Sequence, residues 1–149
     1  MTRLSSWTIF SSLILATLLT ACASDPTPPP PVGFEITADY QTNNSRLFYF
    51  VARTTNDKQF MLESYQDVAN KAFSDPQDPS VLGVFSIVPG TKQEYSISLP
   101  AQGAVALYFL FTQPGTQWKK LLSVPLKDKY DINLTPTSQV EIIEDKSWF

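Results

Sequence analysis

The chain has 149 residues, with 12 prolines, 5 glycines, one cysteine and no histidine, and its formal net charge is −3. A single cysteine excludes an intramolecular disulfide, and the lack of histidine removes the commonest general base and zinc ligand of proteins. The lysines and arginines are scattered, whereas nucleic-acid binding requires a concentrated positive field. We therefore expect neither a nucleic-acid partner nor a metal ion.

Residues 1–21 have the pattern of a lipoprotein signal peptide. Arg3 gives a positive start, and Trp7–Leu19 is an apolar stretch too short for a comfortable membrane span. Leu19-Thr20-Ala21-Cys22 matches the bacterial lipobox, in which the signal is cut before the cysteine. The sequence predicts a diacylglycerol and acyl chains such as palmitate on Cys22, and no other cofactor. Two or three acyl chains anchor a protein firmly in a membrane, whereas a single acyl chain gives only marginal binding. A secretory signal with a chance cysteine is the alternative.

The residue after the lipobox bears on localisation. Ala23 stands where an aspartate would signal retention in the inner membrane. This favours the periplasmic face of the outer membrane, with outer-membrane lipid holding the anchor.

Residues 22–31 are rich in proline, which fixes φ and donates no backbone hydrogen bond. We expect an extended polyproline tether that holds the following domain roughly 20–30 Å from the bilayer. A proline-rich ligand for an aromatic groove is the other reading of this stretch. The folded domain is predicted to span residues 32–149.

The domain begins with two strands and a helix. Phe34–Tyr40 alternates apolar and polar residues, and Leu47–Arg53 is apolar on both faces. Lys58–Phe73 then changes to helical spacing, with Asp57 as its N-cap. The predicted inward stripe of this helix consists of Phe60, Met61, Leu62, Tyr65, Val68, Ala69, Ala72 and Phe73.

Six further strands follow between turns: Val81–Val88, Glu94–Leu99, Ala104–Phe111, Trp118–Val124, Tyr130–Leu134 and Val140–Glu144. Ala104–Phe111 has no polar face, so we expect it in the middle of a sheet covered on both sides. Val140–Glu144 is short and is expected at an edge. The pattern predicts a mainly β fold, a two-layer β-sandwich with one added helix between strands two and three.

Aromatic residues divide into two groups. Those in the central strands are predicted to be core: Phe48, Tyr49, Phe50, Tyr108, Phe109 and Phe111. Trp148 and Phe149 are predicted to dock on the domain, with docking on a partner as the alternative.

Catalytic candidates are few. Glu63 and Asp67 lie four residues apart on the predicted helix, and paired carboxylates hydrolyse glycosides. Both fall on its polar face, however, and a solvated face explains them. We expect no enzyme, and a periplasmic carboxylate-dependent hydrolase stays as an alternative.

The order of several segments resembles a known family. The lipobox and tether lead into GFEITADY, LFYFVART and NDKQFMLESYQDVANKAF, followed by VLGVFSIVPGTKQEYSISL, VALYFLFTQPGTQWKKLLSVPL and YDINL. Leu82-Gly83, Pro89-Gly90, Trp118 and Pro125-Leu126 carry the likeness by order and spacing. In these features the chain resembles the TssJ (SciN) lipoproteins of the bacterial type VI secretion system.

That resemblance implies a fold and a partner. The fold would be a transthyretin-like β-sandwich with an added helical part. The lipoprotein would bind the periplasmic C-terminal domain of a TssM-like inner-membrane protein and, with TssL, help assemble the secretion membrane complex. The family's contact is the loop between the first two strands, which here consists of Gln41, Thr42, Asn43, Asn44, Ser45 and Arg46.

Strand direction predicts which loops act together. If successive strands run antiparallel, the loops after strands one, three and five emerge at one end. These loops are Gln41–Arg46, Pro89–Gln93 and Gln113–Gln117, and they add Thr91, Lys92, Gln113 and Thr116 to the predicted partner-binding residues. An accessory or pilot lipoprotein of another envelope secretion machine is the alternative function.

Overall fold

The structure is a computed structural model that describes residues 30–99 and 103–143. Its eight strands are β1 (Val32–Ala38), β2 (Phe48–Thr55), β3 (Val81–Ile87), β4 (Lys92–Ile97), β5 (Ala104–Leu110), β6 (Lys119–Leu121), β7 (Lys129–Leu134) and β8 (Val140–Ile143). Two helices, α1 (Asp57–Leu62) and α2 (Tyr65–Ala72), lie between β2 and β3. The predictions for the signal peptide, for Cys22 and for Trp148 and Phe149 concern residues outside the described ranges.

The strands form two four-stranded sheets. The first sheet has the order β4-β1-β7-β8 and the second has the order β3-β2-β5-β6. Strand β1 pairs parallel to β7, and the other pairings are antiparallel. The predicted two-layer β-sandwich with a helical insertion is confirmed, as are the central place of β5 and the edge place of β8.

The core between the sheets follows from the alternation of the strands. Phe34 and Ile36 of β1 and Ile132 of β7 point inward from the first sheet and are at most 1% exposed. From the second sheet, Phe50 meets Phe34 edge-on at 5.3 Å between ring centroids and stacks on Phe109 at 5.4 Å. Burial of each such side chain contributes roughly 1.5–3 kcal/mol.

The helices cover the outer face of the second sheet. Val51 of β2 and Tyr108 of β5 point to that face and pack under Val68 and Ala72 of α2. This second layer explains why β2 and β5 lack a polar face. The outer face of the first sheet carries charged residues instead, among them Glu35, which follows the alternation of β1.

The helical segment differs from the prediction at its boundaries. The N-cap is Asn56, not Asp57, and its side chain accepts a hydrogen bond from the Gln59 amide at 2.9 Å. The single predicted helix is broken at Glu63–Ser64, because Ser64 caps α2 in a reciprocal capping box with Asp67. A new cap in mid-segment starts a second helix in a new direction.

The break also changes which apolar residues face inward. Met61, Leu62 and Phe73 are 76%, 74% and 55% exposed, so placing them in the inward stripe was wrong. Tyr49, predicted as core, is 37% exposed. It lies on the outer face of β2, outside the area that the helices cover. Its ring packs edge-on against the ring of Phe73, with 5.0 Å between the centroids. The other five predicted core aromatics are buried.

Candidate partner-binding site

The loop between β1 and β2 has an unusual backbone. It contains a 3-10 turn, Thr42–Ser45, in which Asn43, Asn44 and Ser45 have φ values of 54°, 55° and 59°. This left-handed region is unfavourable for most side chains, and asparagine tolerates it best after glycine. Consecutive left-handed residues persist only where the surroundings hold them, so the contacts of this loop decide its shape.

Two residues of the loop are buried and the others are exposed. Of the six predicted contact residues in this loop, Thr42 and Asn43 are 0% and 4% exposed, so their side chains are buried within the domain. The other four are exposed: Gln41, Asn44, Ser45 and Arg46. The Thr42 hydroxyl lies 3.1 Å from the Leu134 carbonyl oxygen and 2.9 Å from that of Thr135. Thr42 therefore joins the loop to the end of β7.

Asn43 forms hydrogen bonds within its own loop and to two other loops. Its side-chain amide donates to the carbonyl oxygens of Arg46 at 2.9 Å and Leu47 at 3.2 Å. Its side-chain oxygen accepts from the Thr112 amide at 2.7 Å, and its own backbone amide donates to the Ser138 hydroxyl at 2.9 Å. One residue thus connects the β1–β2, β5–β6 and β7–β8 loops.

The β3–β4 turn meets the end of β1. The Gly90 amide donates to the Ala38 carbonyl at 3.0 Å, and the Ala38 amide donates to that of Thr91 at 3.1 Å. Gly90 has φ +77°, and a Cβ there would lie 3.2 Å from the ring of Tyr40. The positive φ favours glycine, and a side chain at this position would require the Tyr40 ring to shift by a few tenths of an ångström. The Thr91 hydroxyl donates to the Val88 carbonyl at 2.6 Å, so it stabilises the turn from within.

Lys92 is the predicted site residue that the structure does not place with the loops. It begins β4, and its ammonium pairs with Glu35 on the outer face of the first sheet. Glu35 also receives Lys129 at 2.7 Å. The hydrogen bonds from Lys129 and Lys92 lower the pKa of the Glu35 carboxyl to about 2.

The β5–β6 loop completes the predicted set. Gln113 and Thr116 are exposed there. A surface depression of about 200 Å³ is lined by Asn43–Asn44, Gln113–Gly115 and Pro136–Ser138. None of these lining residues is charged, so the depression suits a partner's uncharged polar groups.

The β7–β8 turn is a part of this end that the sequence interpretation missed. Thr135 and Ser138 are hydrogen-bonded to Thr42 and Asn43, and Pro136–Ser138 line the depression. Alternating strand directions grouped the loops after strands one, three and five, and the same alternation places the loop after strand seven at this end. The parallel pairing of β1 with β7 agrees with this placement. We call the four loops (39–47, 88–91, 111–118 and 135–139) the loop end.

The carboxylate candidates lie elsewhere, along a groove of about 640 Å³ beside the helices. The Glu63 side chain is 8% exposed and pairs with Arg53 and Lys71, each at 2.7 Å, while the Tyr108 hydroxyl donates to it at 2.8 Å. Asp67 caps α2 through Ser64. The prediction that a solvated helix face explains Glu63 was therefore wrong, because the residue follows α1 and turns inward.

Electrostatics argue against an acid–base pair. Burial raises the pKa of Glu63, but hydrogen bonds from Lys71, Arg53 and Tyr108 outweigh it and the pKa is lowered. The side-chain and backbone hydrogen bonds of Ser64 lower the pKa of Asp67. A glycosidase needs one carboxyl of raised pKa as its acid. Both groups here are ionised at neutral pH and are engaged in structural contacts.

The domain belongs to the class of β-sandwiches with loops gathered at one end, and such loops are a common binding surface in that class. Within that class, the IglE N-terminal domain model matches residues 49–134, and the chain belongs to this family. No curated protein matches the chain. Within residues 30–99 and 103–143 there is no helix with the length and apolar character needed to cross a membrane.

Solved structures of the same fold come from type VI secretion. The lipoprotein TssJ1 from Pseudomonas aeruginosa has 18% identity and a TM-score of 0.58, over 78% of this chain and 96% of that one. Serratia marcescens Lip, a membrane-bound component of the system, has 18% identity and a TM-score of 0.58, over 79% and 100%. These matches confirm the predicted resemblance to the TssJ lipoproteins and establish the fold.

A third match comes from a structure of the T6SS protein TssM C-terminal domain (869-1107) from EAEC. One of its chains has 11% identity and a TM-score of 0.58, over 78% of this chain and 99% of that one. These coverages make the matched chain about half as long as the span from 869 to 1107. It is therefore close in size to the present domain.

Proposed function

We propose that this chain is a periplasmic lipoprotein of a type VI secretion membrane complex, anchored in the outer membrane through lipid on Cys22. Its loop end binds the C-terminal domain of a TssM-like inner-membrane protein, and TssL joins the larger complex. The observation that carries the proposal is the loop end itself, where Asn43 connects three loops into one ordered surface.

The composition of the loop end supports a protein partner. Tyr40 and Leu47 are 71% and 50% exposed beside the polar residues Asn44, Ser45 and Arg46. Protein interfaces combine a few aromatic and arginine anchors with a hydrogen-bonding rim. A TssM-like partner is supported by the presence of a chain of this fold and size in a TssM C-terminal domain structure.

The direction of β1 supports the arrangement in the envelope. The tether precedes Val32 at one end of β1, and the loop end begins after Ala38 at the other. A lipid anchor ahead of Val32 would thus leave the loop end facing away from the outer membrane. That is the direction in which an inner-membrane partner lies.

The test is a binding measurement with the domain from Val32 to Phe149. We expect one-to-one binding to the periplasmic C-terminal domain of the TssM-like protein of the same organism. A double change, Asn44→Asp with Arg46→Glu, is expected to weaken binding at least tenfold, about 1.4 kcal/mol. Both side chains are exposed, so the fold should be retained.

The matched control is Ser123→Asp with Lys127→Glu. It makes the same change of charge in exposed positions of the β6–β7 loop, at the opposite end of the sandwich. Equal affinity of both double variants would contradict the loop-end site. Failure of the folded wild-type domain to bind at tens of micromolar would contradict the TssM-like partner. A pilot lipoprotein would instead bind a component of a different secretion machine.

A further inference from the structure

We infer that Asn43 is a positioning residue for partner binding: through hydrogen bonds within the domain it holds three loops in the arrangement that the partner meets. This inference rests on the proposed function of the loop end. Asn43 was predicted as a contact residue, but it is 4% exposed and its side chain is engaged within the domain. A loss of binding on its substitution is therefore expected to act through the loops that it holds.

The chemistry of the position explains the residue type. The side chain donates to two carbonyl oxygens and accepts from the Thr112 amide, which requires a donor and an acceptor on one short group. The backbone also needs φ +54°. Aspartate lacks the donor, and glycine has the backbone freedom but no side chain. Without Asn43, the Thr112 amide loses its partner.

The consequence for binding is one of preorganisation. Loops that are ordered only on association subtract their conformational entropy from the binding free energy. The Thr112 contact joins residues 69 positions apart and the Ser138 contact joins residues 95 apart. These long-range bonds fix the relative positions of exposed residues such as Asn44 and Gln113 before the partner arrives.

Asn44 provides a matched comparison in the same turn. Its φ of 55° is nearly the same as that of Asn43, but its side chain is exposed. Within the described ranges, no hydrogen bond of the Asn44 side chain is found. Changing either residue to glycine keeps the left-handed backbone accessible, so the pair Asn43→Gly and Asn44→Gly isolates the side chains.

The first measurement is amide hydrogen exchange of the full chain in mild detergent, without the partner. We expect the Thr112 amide to exchange about tenfold faster in Asn43→Gly, because its acceptor is removed. In Asn44→Gly the exchange of Thr112 should match the wild type. Denaturant unfolding of each variant establishes that it is folded under the conditions of the binding measurement. Unchanged exchange in Asn43→Gly would overturn the inference.

The second measurement is the affinity of the same folded variants for the TssM-like C-terminal domain. If the competent arrangement falls to about one tenth of the population, the apparent affinity of Asn43→Gly falls about tenfold. A purely structural role would lower the unfolding midpoint and leave the affinity of the folded protein unchanged. Asn43→Asp keeps the acceptor for the Thr112 amide. The exchange rate of that amide in Asn43→Asp should therefore lie between the rates in Asn43→Gly and in the wild type.

The two hypotheses fail in different ways. A wild-type chain that does not bind overturns the proposed partner. A wild-type chain that binds, with an Asn43→Gly variant that is folded and binds equally well, overturns the positioning role and leaves the partner in place.

Discussion

Two glutamates of this domain each form ion pairs with two cationic side chains. One glutamate lies under the helices, and the other lies on the outer face of the first sheet, which no helix covers within the described residues. Glu63 pairs with Arg53 and Lys71 at 2.7 Å and is 8% exposed. Glu35 pairs with Lys129 at 2.7 Å and with Lys92, whose side chains are more than half exposed. The number of ion pairs is the same, and what differs is the cover that α1 and α2 provide.

The comparison teaches that surroundings decide the energetic weight of an ion pair. On the bare sheet, water and salt screen the attraction, and exposed pairs contribute little. Under the helices, Arg53 is 3% exposed and has been removed from water, so its charge depends on Glu63. Three predictions sharpen this contrast.

The largest effect is expected for Glu63→Ala. It leaves the buried guanidinium of Arg53 without its carboxylate, and breaking a buried pair in this way typically lowers the free energy of unfolding by about 3–5 kcal/mol. The measurement is urea unfolding at neutral pH. Glu35→Ala is the matched control and should change the midpoint little. Similar losses in both variants would show that the helical cover does not distinguish them.

A smaller effect is expected for Ser64→Ala. Ser64 caps α2 in a capping box with Asp67, and loss of such a cap lowers the free energy of unfolding by about 1 kcal/mol. Thermal unfolding followed by circular dichroism measures it. Ser96→Ala, an exposed position on β4, serves as control, and an unchanged Ser64→Ala midpoint would contradict a stabilising role of the cap.

The smallest effect is the pH dependence from Glu35. Hydrogen bonds from Lys129 and Lys92 lower its pKa from 4.5 to about 2. A lowered folded-state pKa gives a stabilisation that is complete above about pH 4.5 and is lost as the pH falls toward 2. The free energy of unfolding of the wild type should be slightly higher than that of Glu35→Gln at pH 6. This difference should shrink in high salt and should disappear below about pH 2. A difference that grows on acidification would contradict the assignment.

Local patterns predicted most of the fold. The alternation of β1 and the wholly apolar run of β5 reflect which faces are covered, so the strands, the two-layer sandwich and the central place of β5 followed from periodicity. The break between α1 and α2 did not follow from periodicity, because the helical spacing of apolar residues continues through Ser64. The capping box of Ser64 with Asp67 starts a new helix in spite of that spacing. Periodicity likewise assigned Phe73 to the core, although its side chain is 55% exposed.

The candidate site was only partly predictable. The count of strands brought three loops to one end, and it would have included Thr135–Gln139 had it been continued to the seventh strand. The cross-loop contacts of Asn43 could not be predicted from the sequence, because its partners Thr112 and Ser138 are distant in the chain. The IglE N-terminal domain match starts at residue 49, so it too leaves the β1–β2 loop without a sequence signal.

The position of β1 has a mechanical consequence. This strand follows the segment predicted to be a tether, and it lies inside its sheet, between antiparallel β4 and parallel β7. A pull on the chain ahead of Val32, resisted by a partner at the opposite end, runs along the strand. Its hydrogen bonds to both neighbours are then loaded in shear and share the force, rather than opening one after another as in unzipping. The topology therefore suits a domain that bears tension between two attachment points.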